Sequence, residues 1–101
     1  MRLSEFERQT LKRAAQDIFG PQVMVRLYGS RVDDSRRGGD IDLLIDAPMS
    51  DPAQIAKAHT LFLSTVYGKL GEQKIDLLID FPGRRSHPPI LDVARQEGIA
   101  L

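Results

Sequence analysis

The chain contains no cysteine, which excludes disulfide bonds, thiolate catalysis and zinc sites built on thiolates. Its formal net charge is zero, with 14 Lys and Arg against 14 Asp and Glu, so its total charge does not point to a nucleic-acid or membrane carrier. No apolar run approaches the length that crosses a bilayer, and residues 1–5 do not have the pattern of a signal sequence. We therefore predict a cytoplasmic protein with no disulfides, no membrane partner and no specific nucleic-acid partner.

The composition that is present is typical of an ordinary globular domain. Hydrophobic residues make up 42% of the 101 positions and charged residues 28%. A chain of this length can bury one modest core and little more. We expect a single domain over residues 1–101.

Helix signals occur three times along the chain. Ser4 and Glu7 have the spacing of a capping box, and the first helix is predicted to end at Gly20. Asp51, followed by proline, predicts the start of a second helix, and Pro89 predicts a short third helix up to about residue 98. The apolar stripes of the first two helices are predicted to be Phe6, Leu11, Ala14, Ala15 and Ile18, and Ile55, Ala58, Phe62 and Val66.

Three apolar segments predict strands over residues 23–28, 40–46 and about 73–80. Residues 40–46 and 74–80 differ only at their first position, which we interpret as two neighbouring central strands that face the same environments. If they pair so that Asp76 lies beside Asp42, three carboxylates gather on one face. Helices with a short mixed sheet of three to four strands predict a small α/β or α+β layer fold.

The segment between the first two strands carries the residues that point to chemistry. Gly29 and Ser30 follow the first strand, and Asp40 and Asp42 open the second. Because alternate residues of a strand share a face, these two acids point the same way. Neighbouring carboxylates repel each other unless a cation lies between them, and oxygen ligands suit Mg²⁺. Asp76 is the third acid of the predicted site.

The same residues could seat a phosphate chain. Gly29 has no side chain, so a phosphate could approach the backbone, and Ser30 offers a hydroxyl and an amide donor. If a helix begins after Ser30, its free N–H groups would favour an anion there. A triphosphate on this turn would place its α-phosphorus near Asp40 and Asp42, which would bind Mg²⁺, while Asp76 would bind a second ion or take the proton. Arg31 is the best candidate for neutralising the phosphates.

In this combination of motifs the chain resembles the nucleotidyltransferase superfamily of DNA polymerase β. The apolar–Gly29-Ser30 turn, the Asp40-Ile41-Asp42 triplet and the later strand acid Asp76 carry the resemblance, which covers nearly the whole chain. The short length is similar to the minimal, MNT-type branch, whose members often act as antitoxins beside HEPN-domain toxins. One departure is Gly39, where the family often has serine before the first acid.

This resemblance implies a fold, a substrate and a partner. It implies a nucleotidyltransferase fold that binds an NTP, ATP in our prediction, with two Mg²⁺ ions in the active complex. It implies transfer of a nucleoside monophosphate, AMP, to a hydroxyl of a helical HEPN-type partner protein, similar in role to a toxin tyrosine. Two alternatives are a non-catalytic antitoxin that acts by occlusion and a small-molecule adenylyltransferase of the aminoglycoside type that needs a partner subunit.

Several other polar residues receive simpler interpretations. Asp46 and Asp80 end strands and are predicted to be solvated, and Tyr28 is predicted to be a packing residue. The histidines have no ligand-like spacing, so neither is assigned. The roles of four arginines are left open: Arg36, Arg37, Arg84 and Arg85.

Overall fold

The protein is described by a computed structural model over residues 1–35 and 39–101. Those residues form three α-helices, one single-turn 3₁₀ helix and four strands. In chain order they are α1 (Glu5–Phe19), β1 (Met24–Tyr28), the 3₁₀ turn (Gly29–Val32), β2 (Ile41–Asp46), α2 (Pro52–Leu70), β3 (Ile75–Asp80), α3 (Pro89–Glu97) and β4 (Ile99–Ala100). No described helix is both long and apolar enough to span a membrane.

The four strands form one open, mixed sheet in the order β3-β2-β1-β4. Strand β1 pairs antiparallel with both β2 and β4, while β2 and β3 pair in parallel. A parallel pair needs a crossover connection, and α2 is that connection. The fold is therefore an α+β layer fold with a mixed sheet, as the sequence predicted.

Local capping explains where the first two helices begin. The Ser4 side chain accepts a hydrogen bond from the backbone N–H of Glu7, and the Glu7 side chain accepts one from the backbone N–H of Ser4. Asp51 caps α2 by accepting from the Ala53 N–H, with Pro52 in the first turn. Such caps satisfy the free N–H groups at a helix start, so both predicted starts are confirmed.

The main core lies between one face of the sheet and helices α1 and α2. Strand β2 contributes Ile41, Leu43 and Ile45, all with no exposed surface, and α2 contributes the fully buried Phe62 and Val66. Burying one such side chain stabilises the fold by roughly 1.5–3 kcal/mol. This layer fixes which side of β2 faces inward, so the alternate residues must face the other side.

Helix α3 covers part of that second face. Leu91 and Ala94 of α3 are buried against Tyr28 and Leu44, with Leu78 packed alongside. The sheet is thus apolar in the middle of this face and acidic at both ends of β2 and β3. Those two acidic ends have different environments.

Two expectations need correction, and one strand is additional to those assigned from the sequence. Phe6 was predicted to lie in the apolar stripe of α1, but its side chain is 63% exposed. The helix expected after Ser30 is only the turn Gly29–Val32, too short to supply an anion site by its dipole. Strand β4 was not predicted: it has two residues, and only its pairing with β1 identifies it.

Candidate active site

The parallel register of β2 and β3 brings the predicted acids together. Asp42 lies opposite Asp76, and Asp46 lies opposite Asp80. Because alternate residues share a face, all four carboxylates lie on the side of the sheet that α3 partly covers. The register that the sequence analysis required for gathering the acids is confirmed.

At one end of this face, Asp46 and Asp80 are neutralised by arginine. Arg95 of α3 donates to both carboxylates, at 2.5 Å to Asp46 Oδ1 and 2.6 Å to Asp80 Oδ2. Arg26 donates to Asp46 Oδ2 at 2.6 Å, and Arg84 Nε lies 3.3 Å from Asp80 Oδ1. Burial raises the pKa of Asp46, but the hydrogen bonds from Arg95 and Arg26 outweigh it and lower that pKa overall. The prediction that both acids are solvated is wrong, since α3 brings a cation to them.

At the other end, Asp42 and Asp76 lie opposite each other, and no arginine of the described residues forms an ion pair with either. The pKa of Asp42 is raised from 3.8 to about 6, first by burial, then by the charge of Asp76 and a hydrogen bond shared with it, with a smaller effect from Asp40. Within residues 1–35 and 39–101, Asp42 and Asp76 form no ion pair, and Lys74 lies 3.4 Å from the Oδ2 of the neighbouring Asp40. Among the residues that the structure describes, this acid pair therefore has no cation paired directly with it.

The predicted phosphate turn lies directly against these acids. Gly29 has a φ of 76°, and a Cβ placed there would lie 3.2 Å from Asp42 Cγ and closer than 3.0 Å to its Oδ2. Only glycine fits this approach in an unstrained way. Gly39 packs similarly against the Ser30 hydroxyl. The turn and the start of β2 thus form one compact unit.

Arg31 donates two hydrogen bonds to backbone carbonyl groups near the Gly29–Val32 turn. Its Nε donates to the Gly39 carbonyl at 3.3 Å and its Nη1 to the Arg2 carbonyl at 3.1 Å. The bond to Gly39 joins the two ends of the loop between β1 and β2, and the bond to Arg2 joins that loop to the N-terminal segment. Contact between Arg31 and a triphosphate stays a prediction. Arg36 and Arg37 lie outside the described residues.

The loop between β3 and α3 was predicted from its charged residues to be solvated, but one of its arginines packs against the protein. Arg84 donates to the Ile79 carbonyl at 2.9 Å and lies over the Phe81 ring at 4.9 Å. Arg85 is exposed. His87 lies 2.8 Å from Asp92 Oδ1, which places it at the start of α3.

A cleft of about 690 Å³ opens beside the acid pair along the outer edge of β3. Its wall combines Gly29, Asp42 and Asp76 with the exposed α3 side chains Ile90 and Val93. The sequence analysis missed three further lining residues: Tyr28, His59 and Glu97. The cleft can hold a small organic group next to the carboxylates.

Two of these residues, Tyr28 and Glu97, lie close to the predicted acids or to the predicted phosphate turn. Tyr28 is the antiparallel neighbour of Asp42, and burial, with the charges of Asp42 and Asp76, raises the pKa of its hydroxyl. Its place directly before Gly29 was a usable signal. Glu97 lines both this cleft and an adjoining one of about 600 Å³ that contains Gly29 and Ser30. Nothing in the local sequence marked Glu97, because it reaches the site through the packing of α3.

The donor set is suited to Mg²⁺ that is bound together with a phosphate ligand. Among the residues that the structure describes, no group of three or more His, Asp or Glu side chains is arranged to hold a metal ion by itself. Mg²⁺ usually takes only one or two protein carboxylates and fills its other positions with water and phosphate oxygens. Asp42 and Asp76 supply two such carboxylate ligands. The neighbouring Asp40 forms an ion pair with Lys74. The residues present therefore fit the predicted ion.

The search for known relatives gives no support for any family. No protein-family model matches the chain, and no curated protein matches it.

Proposed function

We propose that the protein is a Mg²⁺-dependent nucleotidyltransferase that transfers AMP from ATP to a hydroxyl group of a partner protein. The supporting observation is the contrast between the two acid pairs. Asp46 and Asp80 share Arg95, whereas Asp42 and Asp76 are opposed and form no ion pair with any arginine of the described residues. Opposed carboxylates repel each other, and a divalent cation bound between them would relieve that repulsion.

The proposed roles follow from position. Asp42 and Asp76, with Asp40, would hold the two Mg²⁺ ions, which supply neutralisation of the phosphates and of the charge that develops during transfer. Gly29 and Ser30 would seat the triphosphate through the backbone and the hydroxyl. In this reaction the oxygen of the acceptor hydroxyl would form a bond to the α-phosphorus, its proton would pass to Asp76 or to solvent, the bond from the α-phosphorus to the oxygen that bridges to the β-phosphate would break, and pyrophosphate would leave.

The acceptor is proposed to be a protein, in a helical HEPN-type partner. The acid pair lies at the exposed edge of the sheet, beside a cleft whose α3 wall carries Ile90 and Val93, 41% and 40% exposed. Such a site is open to a large acceptor. The reaction consumes ATP, so a cytoplasmic location is part of the proposal.

Calorimetry tests nucleotide binding first. Titration with ATP should give heat of binding in Mg²⁺ and none in EDTA, because a triphosphate is repelled by the acids unless cations intervene. Asp42→Asn should lose this binding. Asp17→Asn, which removes the same charge from an exposed position on α1, should retain it. Equal binding in Mg²⁺ and EDTA would contradict the proposal.

Mass spectrometry tests the transfer. A protein that co-purifies with the chain, incubated with Mg-ATP, should gain one AMP unit on a hydroxyl side chain, and should gain none when the Asp42→Asn variant is used. A partner that is inhibited but unmodified would instead support antitoxin action by occlusion. Transfer to an added aminoglycoside, but not to the partner, would support the small-molecule alternative.

A further inference from the structure

Lys74 is the residue of the site that the proposed function does not use. Its backbone carbonyl accepts a hydrogen bond of 3.0 Å from the Ile41 N–H, which fixes its α-carbon beside the start of β2. Its ammonium lies 3.4 Å from Asp40 Oδ2, and its side chain is 76% exposed. The main chain is therefore held in place while the charged end is free to move.

The ammonium also acts on the neighbouring acid. Lys74 lowers the pKa of Asp42, against the effects of burial, Asp76 and Asp40. In the part of the chain that the structure describes, no other cationic side chain forms an ion pair with Asp40, Asp42 or Asp76. The positive charge of Lys74 thus lies against Asp40, one of the three carboxylates that the proposed divalent ions would use.

We infer that Lys74 is a tethered counter-ion that holds Asp40 when no divalent cation is bound and competes with that cation for the carboxylate. The inference rests on the proposed function, because it regulates the same metal site. A lysine suits this role, since its ammonium is a compact charge on a flexible stem. An exposed ion pair is weak, so a divalent ion can displace it, and Lys74 then sets the metal concentration at which the site fills.

Metal affinity is the direct measurement. The free Mn²⁺ signal in electron paramagnetic resonance gives the dissociation constant for Mn²⁺ alone, and oxygen-ligand sites accept Mn²⁺ in place of Mg²⁺. Lys74→Gln keeps a polar side chain at an exposed position and should leave the fold intact, as circular dichroism can verify. We expect it to bind Mn²⁺ about two- to fivefold more tightly than the wild type, the range that corresponds to removing a competing exposed ion pair.

Two matched variants separate local competition from net charge. Lys57→Gln removes one positive charge from an exposed position of α2 and should leave Mn²⁺ affinity unchanged. Lys74→Arg keeps the charge and should retain the wild-type affinity. In an Asp40→Asn background, Lys74→Gln should no longer increase affinity, because the carboxylate under competition is gone.

The outcomes distinguish this inference from the proposed function. If the wild type binds Mn²⁺ and Lys74→Gln binds it equally or more weakly, the competition is disproved while the metal site stands. An equal gain in Lys57→Gln would also overturn it, because net charge would then account for the change. If the wild type binds no Mn²⁺ with or without ATP, both the metal site and the inference fail.

Discussion

Gly29 lies against the carboxylate of Asp42 so closely that a Cβ at position 29 would meet its Oδ2 at less than 3.0 Å. This contact joins the turn after β1 to the first acid of β2, whose side chain also faces Asp76. The backbone of the predicted phosphate turn and the predicted metal ligands are therefore one packed unit. Changes in the turn should be transmitted to the acids.

The first prediction concerns that contact. Gly29→Ala should destabilise the fold more than Gly71→Ala does. Both glycines have a left-handed φ, 76° and 78°, but only Gly29 has a neighbour that a Cβ would strike. The shared backbone strain costs about 1–3 kcal/mol, and we expect about 1 kcal/mol more at Gly29, or roughly 4–8 °C in melting temperature. Thermal unfolding in EDTA measures both; equal losses would show that Asp42 moves aside at no cost.

The second prediction concerns pH. The folded-state pKa of Asp42 is about 6, above its ordinary value of 3.8. The ionised carboxyl therefore destabilises the fold at pH 7, and this penalty is relieved as pH falls through about 6 towards 4, because the folded protein binds the proton more tightly than the unfolded chain does. Asp42→Asn removes this dependence. In EDTA at pH 7 the variant should melt at the same temperature as the wild type or a higher one. Any difference in melting temperature in favour of the variant should become smaller below pH 6.

The control for this pH profile is Asp17→Asn, which should follow the wild-type curve. If Asp42→Asn melts well below the wild type at pH 7 in EDTA, Asp42 is a structural partner and not a strained acid of a metal site.

The third prediction compares the two aspartates of β3, Asp76 near its start and Asp80 at its end. Asp80 accepts from Arg95 and lies beside Arg84, and its side chain is only 17% exposed. Asp80→Asn should therefore lower the free energy of unfolding by about 1–3 kcal/mol, the value of hydrogen bonds to charged groups. Asp76→Asn relieves repulsion with Asp42 and should leave stability unchanged or higher in EDTA. Urea unfolding of both variants measures the difference, and a similar loss in both would contradict the distinction between the two pairs.

The fourth prediction concerns the attachment of α3. Arg95→Gln leaves Asp46 and Asp80 opposed without the shared cation, so it should lower the free energy of unfolding by about 1–3 kcal/mol. It should also weaken the acid dependence of stability: the depressed pKa of Asp46 contributes stability that is present above its ordinary value of 3.8 and lost as pH falls through the lower folded pKa, and without Arg95 less of this stability is there to lose. Arg85→Gln, at an exposed position one residue after Arg84, should change stability by less than about 0.5 kcal/mol. Urea titrations of the wild type and both variants at pH 7 and at about pH 2.5, below the ordinary pKa of Asp46, give these values.

The capping and periodicity of the chain were sufficient to predict most elements. Helix starts at Ser4 and Asp51 and the two acidic strands are local patterns, because a cap and a period of two are properties of a few consecutive residues. Strand β4 has no such pattern. It exists because Arg26 and Leu27 of β1 offer a free edge to residues 99 and 100, which is a relationship between distant parts of the chain.

Local sequence patterns were sufficient to select the candidate site residues and to predict that alternate strand residues share a face. These residues are Gly29, Ser30, Asp40, Asp42 and Asp76. The sequence did not indicate which acids of the two Ile-Asp-Leu-Leu-Ile-Asp segments pair with a cation, because the first and last acids of each segment are chemically identical. The packing of α3 made the difference: it places Arg95 against Asp46 and Asp80, whereas no arginine of the described residues pairs with Asp42 or Asp76. The physical reason is that charge compensation depends on distance in space, and helix α3 contributes its arginine from 15 residues beyond Asp80.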